Sequence, residues 1–314
     1  GLGARDEVRI EWRPSGTLRV IADASSVVKQ REVRINCNEI PDDMIFDHLV
    51  ASYLSGAHRI IISSNIEFSR FQRKIFRDFV KSTRGLEITN DHSREIEMIS
   101  LLNPSEMPLF SSINRMYLLI SRQIRDFSEV LMGGDPDILE ESSELENEVD
   151  ALRLLLERQA GQILESASIE DSLGTSRWEA AELCKLVRTL ERMGDHSFAL
   201  CDLAKSYKAP NLINMDSLPI SIIPIWHNSI KLLVSNLKNR NFSEIHDAKF
   251  KLITAQKDLI QYEEVLRASD VDISDALFLD RVSESLRRIC AYSINMAEIL
   301  MNIQTHRDSI EVYT

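Results

Sequence analysis

Residues 190–203, LERMGDHSFALCDL, return at residues 286–299 as LRRICAYSINMAEI. Apolar and small positions match along the whole window. A helix and its copy at a fixed offset must build two similar units that bury the same face. The surrounding sequence, from Pro104 onward, has the apolar spacing of long amphipathic helices. Six are predicted, near 108–132, 136–167, 176–207, 217–240, 243–268 and 274–305. Ser176-Arg177-Trp178-Glu179 has the form of a capping box at the start of the third. Asp135-Pro136 would open the second with proline at the first helical position. Pro219 and Pro224 fall in the first turn of the fourth, where a missing N–H is tolerated. Gly133, Gly134 and Gly174 lie in connections. The expected architecture is mainly α, as two tandem three-helix bundles over 104–210 and 211–314.

The chain before residue 104 has another texture. Glu7–Trp12 and Thr17–Ile21 are predicted strands around an Arg13-Pro14-Ser15-Gly16 turn, and Ser25–Gln30 is a linker. Residues 31–103 alternate in type. Strands are expected at Glu32–Cys37 and His58–Ser63, and helices at Asp42–Ser55 and Ser69–Thr83, the latter with apolar Phe71, Ile75, Phe76 and Phe79. A hairpin of Leu86–Asn90 and Arg94–Leu101 follows. That order makes a small α/β domain with its helices on one face of a mixed sheet, preceded by a β remnant over 1–30.

The 314 residues include 44% hydrophobic and 27% charged residues, which fits a globular protein of two or three domains. No apolar run approaches the ~18–20 residues that cross a bilayer. No signal peptide is evident, and a cytoplasmic location is expected; the opening Gly1 in place of Met points to a start further upstream. Cys37, Cys184, Cys201 and Cys290 are widely spaced, which suits reduced core thiols. Residues 1–103 are charge-neutral, so the net charge of −12 sits wholly on the helical part. Such a surface repels a phosphate backbone and suits cations.

Two carboxylate pairs stand out there. Glu191 and Asp195 lie at i and i+4 in LERMGDHS, beside the apolar stripe Leu183, Val187, Leu190 and Phe198. Glu146 and Asp150 repeat the spacing on the preceding helix, beside Leu145, Val149, Leu152 and Leu156. Residues four apart share a helical face, so two packed helices would present four carboxylates to one cation. Gly194 costs about 1 kcal/mol against alanine inside a helix, and a close helix approach or room beside the carboxylates would offset it. The competing reading is a solvated acidic edge, with Arg153 and Arg158 near the first pair and Arg188, Arg192 and His196 near the second.

These residues resemble a family. Glu191–Asp195 in LERMGDHS and Glu146–Asp150 in ELENEVDALRLLLERQ are similar to the E(D)xxxD metal motifs of PhoU-type phosphate-uptake regulators. Leu101–Ile120 resembles the entry to their first helix in archaeal members, and residues 31–101 the extra α/β segment of archaeal relatives. The resemblance spans about 102–306. It implies a cytoplasmic, non-enzymatic negative regulator of phosphate import through an ABC transporter, often with a phosphate-sensing kinase. It also implies divalent or iron-type metal ions, iron or zinc foremost, on the bundle surface. The second repeat departs from the pattern: Thr254 and Asp258 stand where Glu146 and Asp150 do, and Arg287 and Ala291 where Glu191 and Asp195 do. A guanidinium repels a cation, so metal is expected in the first bundle only.

Ala4–Asp23 resembles the second half of an AbrB/SpoVT-type DNA-binding domain, whose relatives are intertwined dimers. That implies a homodimer, and DNA binding if the missing half lies upstream. Two alternatives follow: a transcriptional regulator with the bundles as sensor, and, ranked last, a metal-dependent hydrolase. Trp178, Trp226 and Tyr117 read as helix-core aromatics, and His196 as a neighbour of the motif. Glu-x-x-His, G-x-G-x-x-G and P-loop motifs do not occur.

Overall fold

The computed structural model describes residues 8–12, 17–22, 30–103, 108–206, 214 and 216–309. The expected Arg13–Gly16 turn and nearly all of the Ser25–Gln30 linker lie outside those residues. β1 (Val8–Trp12) and β2 (Leu18–Ala22) pair antiparallel, Ile10 opposite Val20.

The α/β domain has the expected order. It consists of β3 (Glu32–Asn36), α1 (Ile45–Leu54), β4 (Arg59–Ser63), α2 (Arg70–Ser82), β5 (Leu86–Asp91) and β6 (Glu95–Ser100). Strand order is β3-β4-β6-β5; β3 and β4 run parallel and the other neighbours antiparallel. One sheet face buries Ile35, Ile60, Ile62, Ile96 and Met98 under Ile45, Leu49 and Tyr53 of α1 and Phe76 and Phe79 of α2. The capping box of Ser69 and Gln72 starts α2. Phe71, expected in its apolar stripe, is 55% exposed; the buried stripe of α2 is Phe76 and Phe79.

The helical part holds α3 (Leu109–Leu131), α4 (Ser142–Glu165), α5 (Ala167–Leu173), α6 (Arg177–Ser206), α7 (Ile222–Asn239), α8 (Phe242–Arg267) and α9 (Ile273–Asp308). Three boundaries differ from the sequence reading. Pro136 opens a 3-10 turn, Pro136–Leu139, capped by Asp135; Leu139 plugs the core, and α4 starts only at Ser142. The second predicted helix breaks at Ser166, whose backbone is extended, and the short α5 then packs Ile169 and Leu173 on the core and ends at Gly174 in the left-handed region. Hydrogen-bonded turns from Ser217 to Ile223 precede α7, which begins at Ile222 instead of 217.

The two bundles share one continuous hydrophobic core. α6 and α9 run antiparallel along their junction: Trp178 stacks on His306 at 4.2 Å, Met193 meets Ser293 at 3.5 Å, and His196 stacks on Tyr292 at 5.9 Å. The duplication is visible in the buried polar contacts. Ser197 on α6 donates to Gln123 Oε1 of α3 at 2.5 Å, and its counterpart Ser293 on α9 accepts from Trp226 Nε1 of α7 at 2.9 Å. Trp226 is a core aromatic as expected, and Tyr117 packs half-buried against the core. Trp178 is 40% exposed, because its ring lies over His306 outside the core.

α4 is buried on two sides. Val149, Leu152 and Leu156 face the bundle, while Leu154 enters the α/β core. Next to Leu154's turn, buried Arg158 sends Nη1 to the carbonyl of Tyr53 at 2.5 Å and Nη2 to that of Ala57 at 2.8 Å. Its guanidinium lies 4.7 Å from the Tyr53 ring centre. The Tyr53 carbonyl, in the last turn of α1, also accepts from Gly56 N at 3.0 Å, and Ala57 follows the helix. Carbonyls at a helix C-terminus carry partial negative charge, so the cation adds a second partner at Tyr53 and fastens the domain to α4.

Candidate metal centre

α4 and α6 pack directly against each other, and Gly194 marks the contact. A Cβ there would stand 3.1 Å from Val149 Cγ1 and 3.9 Å from Ile120 Cγ1. The glycine thus lets α6 approach Val149, the residue between Glu146 and Asp150. Its intrinsic helix cost is offset by that approach, as the sequence suggested.

The approach brings three of the four expected carboxylates together. Glu146 and Asp150 from α4 and Asp195 from α6 each place one oxygen within 4.8 Å of the others. Glu146 and Asp150 are half-buried, and Asp195 is exposed at the rim. All three carboxyls sit above their ordinary range, first through burial. The charges of Asp150 and Asp195 add to this at Glu146, and that of Asp195 at Asp150, where Arg153 works in the opposite sense. At Asp195, Arg153 and Arg192 oppose the effect of burial. A cation placed among the three oxygens would remove this repulsion. The donor set, all hard carboxylate oxygen from two rigid helices, fits a divalent or ferric ion.

Glu191 is set apart from the other three. Its Oε1 lies 3.3 Å from Arg153 Nε, and Arg153 also reaches Glu157 at 3.3 Å. Burial and the Asp195 charge still raise the Glu191 carboxyl, against the pull of Arg153. The arginines expected beside the α6 pair act on it through charge while their nearest contacts lie elsewhere. Arg188 binds the buried Glu157 at 2.5 Å, and Arg192 lies over Tyr292. His196 turns to Tyr292, and burial lowers its basicity. Arg153, a competing salt-bridge partner by its place in the sequence, is thus the cation nearest Glu191, and its charge also acts on Asp150 and Asp195. Its position one turn beyond Asp150 was the available signal.

The second repeat gathers no comparable set among the described residues. Thr254 is exposed and donates to the Phe250 carbonyl at 3.1 Å; Asp258 is exposed. Arg287 binds buried Glu263 Oε1 at 2.9 Å, and Ala291 offers no donor. In each bundle Glu–Arg pairs join the second and third helices: Glu157 of α4 with Arg188 of α6 and Glu263 of α8 with Arg287 of α9 have the same sense, and Arg153 with Glu191 has the opposite one.

The geometry defines a helical protein with a carboxylate cluster on the first of two fused bundles. Residues 113–204, which contain all four motif carboxylates, match the PhoU domain family, so this part of the chain is PhoU-like. The crystal structure of PhoU from Pseudomonas aeruginosa is similar at 16% identity, with a TM-score of 0.49, covering 63% of this chain and 96% of that one. No curated protein matches. Among the described residues no helix is long and apolar enough to cross a membrane.

Proposed function

We propose that the chain is a metal-binding, non-enzymatic regulator of phosphate uptake and homeostasis. It would act in the cytoplasm as a negative regulator, by contact with a phosphate ABC transporter ATPase or a sensor kinase. The reading is carried by the convergence of Glu146, Asp150 and Asp195 inside the segment that matches the PhoU domain. Bare carboxylates repel phosphate; a cation held by them, iron or zinc by the family resemblance, would supply a site for a phosphate oxygen or a partner's acidic group. Glu191 and Arg153 would position the cluster, with Arg153 neutralising the inner edge of α6. The second bundle, with Arg287 and Glu263 neutralising each other, would serve as scaffold and contact surface.

The test is phosphate uptake in cells that lack the gene. Uptake under phosphate-replete conditions rises, the intact gene restores restraint, and a gene carrying both Asp150→Asn and Asp195→Asn does not. Unchanged uptake in the deletion strain would remove the proposal.

One observation favours a second reading. The β1–β2 hairpin leaves Val8, Ile10, Leu18 and Val20 at least 42% exposed. A two-stranded hairpin is marginal alone, and an apolar face of this kind asks for further strands. In a transcriptional regulator of the AbrB type those strands come from the other half of the domain and its dimer mate. A salt-sensitive gel shift with the natural full-length protein supports that reading; no shift on promoter DNA at low salt rejects it.

A further inference from the structure

Among the described residues β3 is an edge strand, with β4 as its one neighbour in the sheet. The Arg31 carbonyl accepts from His58 N at 2.7 Å, and Cys37 N donates to the Ser63 carbonyl at 2.9 Å, so the odd-numbered residues face β4. The alternation of a strand then turns the N–H and C=O groups of Glu32, Arg34 and Asn36 outward. The opposite edge of the sheet, β5, is interrupted by a register shift between Ile88 and Asn90. Bulges of that kind, with proline or lysine, are how edges are blocked. Glu32–Asn36 has no bulge, proline or lysine and keeps a regular register, and its two charged residues, Glu32 and Arg34, are of opposite sign. Beside it a groove of about 500 Å³ opens between β3 and α1, lined among others by Val33, Ile35, Ile40, His48, Ala51 and Ser52.

We propose that this edge pairs antiparallel with the β3 edge of a second copy of the chain, centred on Val33, to form one eight-stranded sheet. Hydrogen bonding requires outward-facing, even-numbered residues to oppose one another, so the symmetry axis passes through a residue. An axis at Arg34 would set two guanidinium groups face to face. An axis at Ile35 would run the pairing into the turn after Cys37. The axis at Val33 sets Glu32 opposite Arg34 twice, and Gln30 opposite Asn36. Opposite charges directly across a pair stabilise it, and like charges do the reverse. Within one copy Arg34 Nε already lies 2.8 Å from Glu32 Oε1 on the same sheet face. Pairing therefore extends an existing ion pair into a four-charge row. On the other face the axis sets the two α1 helices over the seam, where the small side chains of Ala51, Ser52 and Ser55 border the groove.

The interface is independent of the metal cluster and of the β1–β2 hairpin. Its test is a charge swap in the whole chain, read by sedimentation velocity over a concentration series, with far-UV circular dichroism to verify folding. Wild type sediments as a dimer. Glu32→Arg alone and Arg34→Glu alone each place like charges across the seam and weaken dimerisation about tenfold or more. The double variant, Glu32→Arg with Arg34→Glu, restores it. A monomeric wild type, or single variants that dimerise as tightly as wild type, would overturn the proposal. So would a folded double variant no tighter than the single ones, since the register predicts rescue.

Discussion

Replacing Arg158 by methionine isolates the joint between the α/β domain and the helical body. The side chain is 5% exposed, and its guanidinium is bonded to two carbonyls, those of Tyr53 and Ala57. Hydrogen bonds to a charged donor contribute about 1.5–3 kcal/mol each, so their loss costs about 3–6 kcal/mol. Methionine keeps most of the apolar stem against Tyr53, and the burial penalty of the guanidinium is no longer incurred, which returns on the order of 1–3 kcal/mol. The expected net loss is about 2–4 kcal/mol. Urea unfolding followed with a probe on α1 and a probe on α6 should separate into two transitions, the α1 signal melting first. Hydrogen exchange at the C-terminal end of α1 should accelerate in parallel. Arg31→Ala is the control: Arg31 pairs with Glu165 at 2.9 Å on the surface, and its loss should cost under about 1 kcal/mol. A stability loss below about 0.5 kcal/mol for Arg158→Met, with the two probes still coincident, would refute the latch.

Gly194→Ala gains about 1 kcal/mol of helix propensity but sets a methyl 3.1 Å from Val149 Cγ1. Overpacking of that order costs about 1–3 kcal/mol, so denaturation should show a net loss of up to about 2 kcal/mol, relieved by adding Val149→Ala. The metal-free carboxylate cluster makes stability depend on pH. Glu146, Asp150 and Asp195 have raised carboxyls, so their favourable contribution is full below the ordinary carboxylate range and disappears as pH rises through their folded-state values. Asp150→Asn should therefore raise the melting temperature of the chelated protein at pH 7.5, with the gain shrinking on acidification; a variant no more stable than wild type at pH 7.5 argues against the mutual repulsion. Trp226→Phe removes the hydrogen bond to Ser293 and opens a cavity, with an expected loss of about 2–4 kcal/mol by calorimetry.

The sequence showed most of the architecture because each element is locally consistent. Strand β4 centres on the apolar run Ile60-Ile61-Ile62, α2 starts at a capping box, and the third helix of each bundle carries the same small and apolar positions. Errors arose where tertiary packing overrode a local signal. Pro136 is a good first helical residue, yet the burial of Leu139 turned its segment into a 3-10 turn. Arg158 sits within the apolar run LRLLLERQA, but nothing local says that its partners are the carbonyls of Tyr53 in α1 and of Ala57 just after it, about a hundred residues earlier. The cluster was legible as paired i, i+4 carboxylates, since helical spacing fixes which side chains share a face. The detachment of Glu191 was not, because it depends on the rotamer of Arg153 and on the competing charge of Glu157.

Metal stoichiometry of the purified protein, reconstituted separately with zinc and with iron and counted after gel filtration, tests the central claim most directly. Saturating metal at about a hundred times its dissociation constant should also stabilise the fold by about 2.7 kcal/mol. Wild type is predicted to retain metal. Asp150→Asn and Asp195→Asn each lose it, Glu191→Gln retains the larger part, and Asp258→Asn in the second repeat retains all of it. Metal retained by Asp150→Asn and Asp195→Asn alike, or lost by Asp258→Asn, would contradict a single carboxylate centre between α4 and α6.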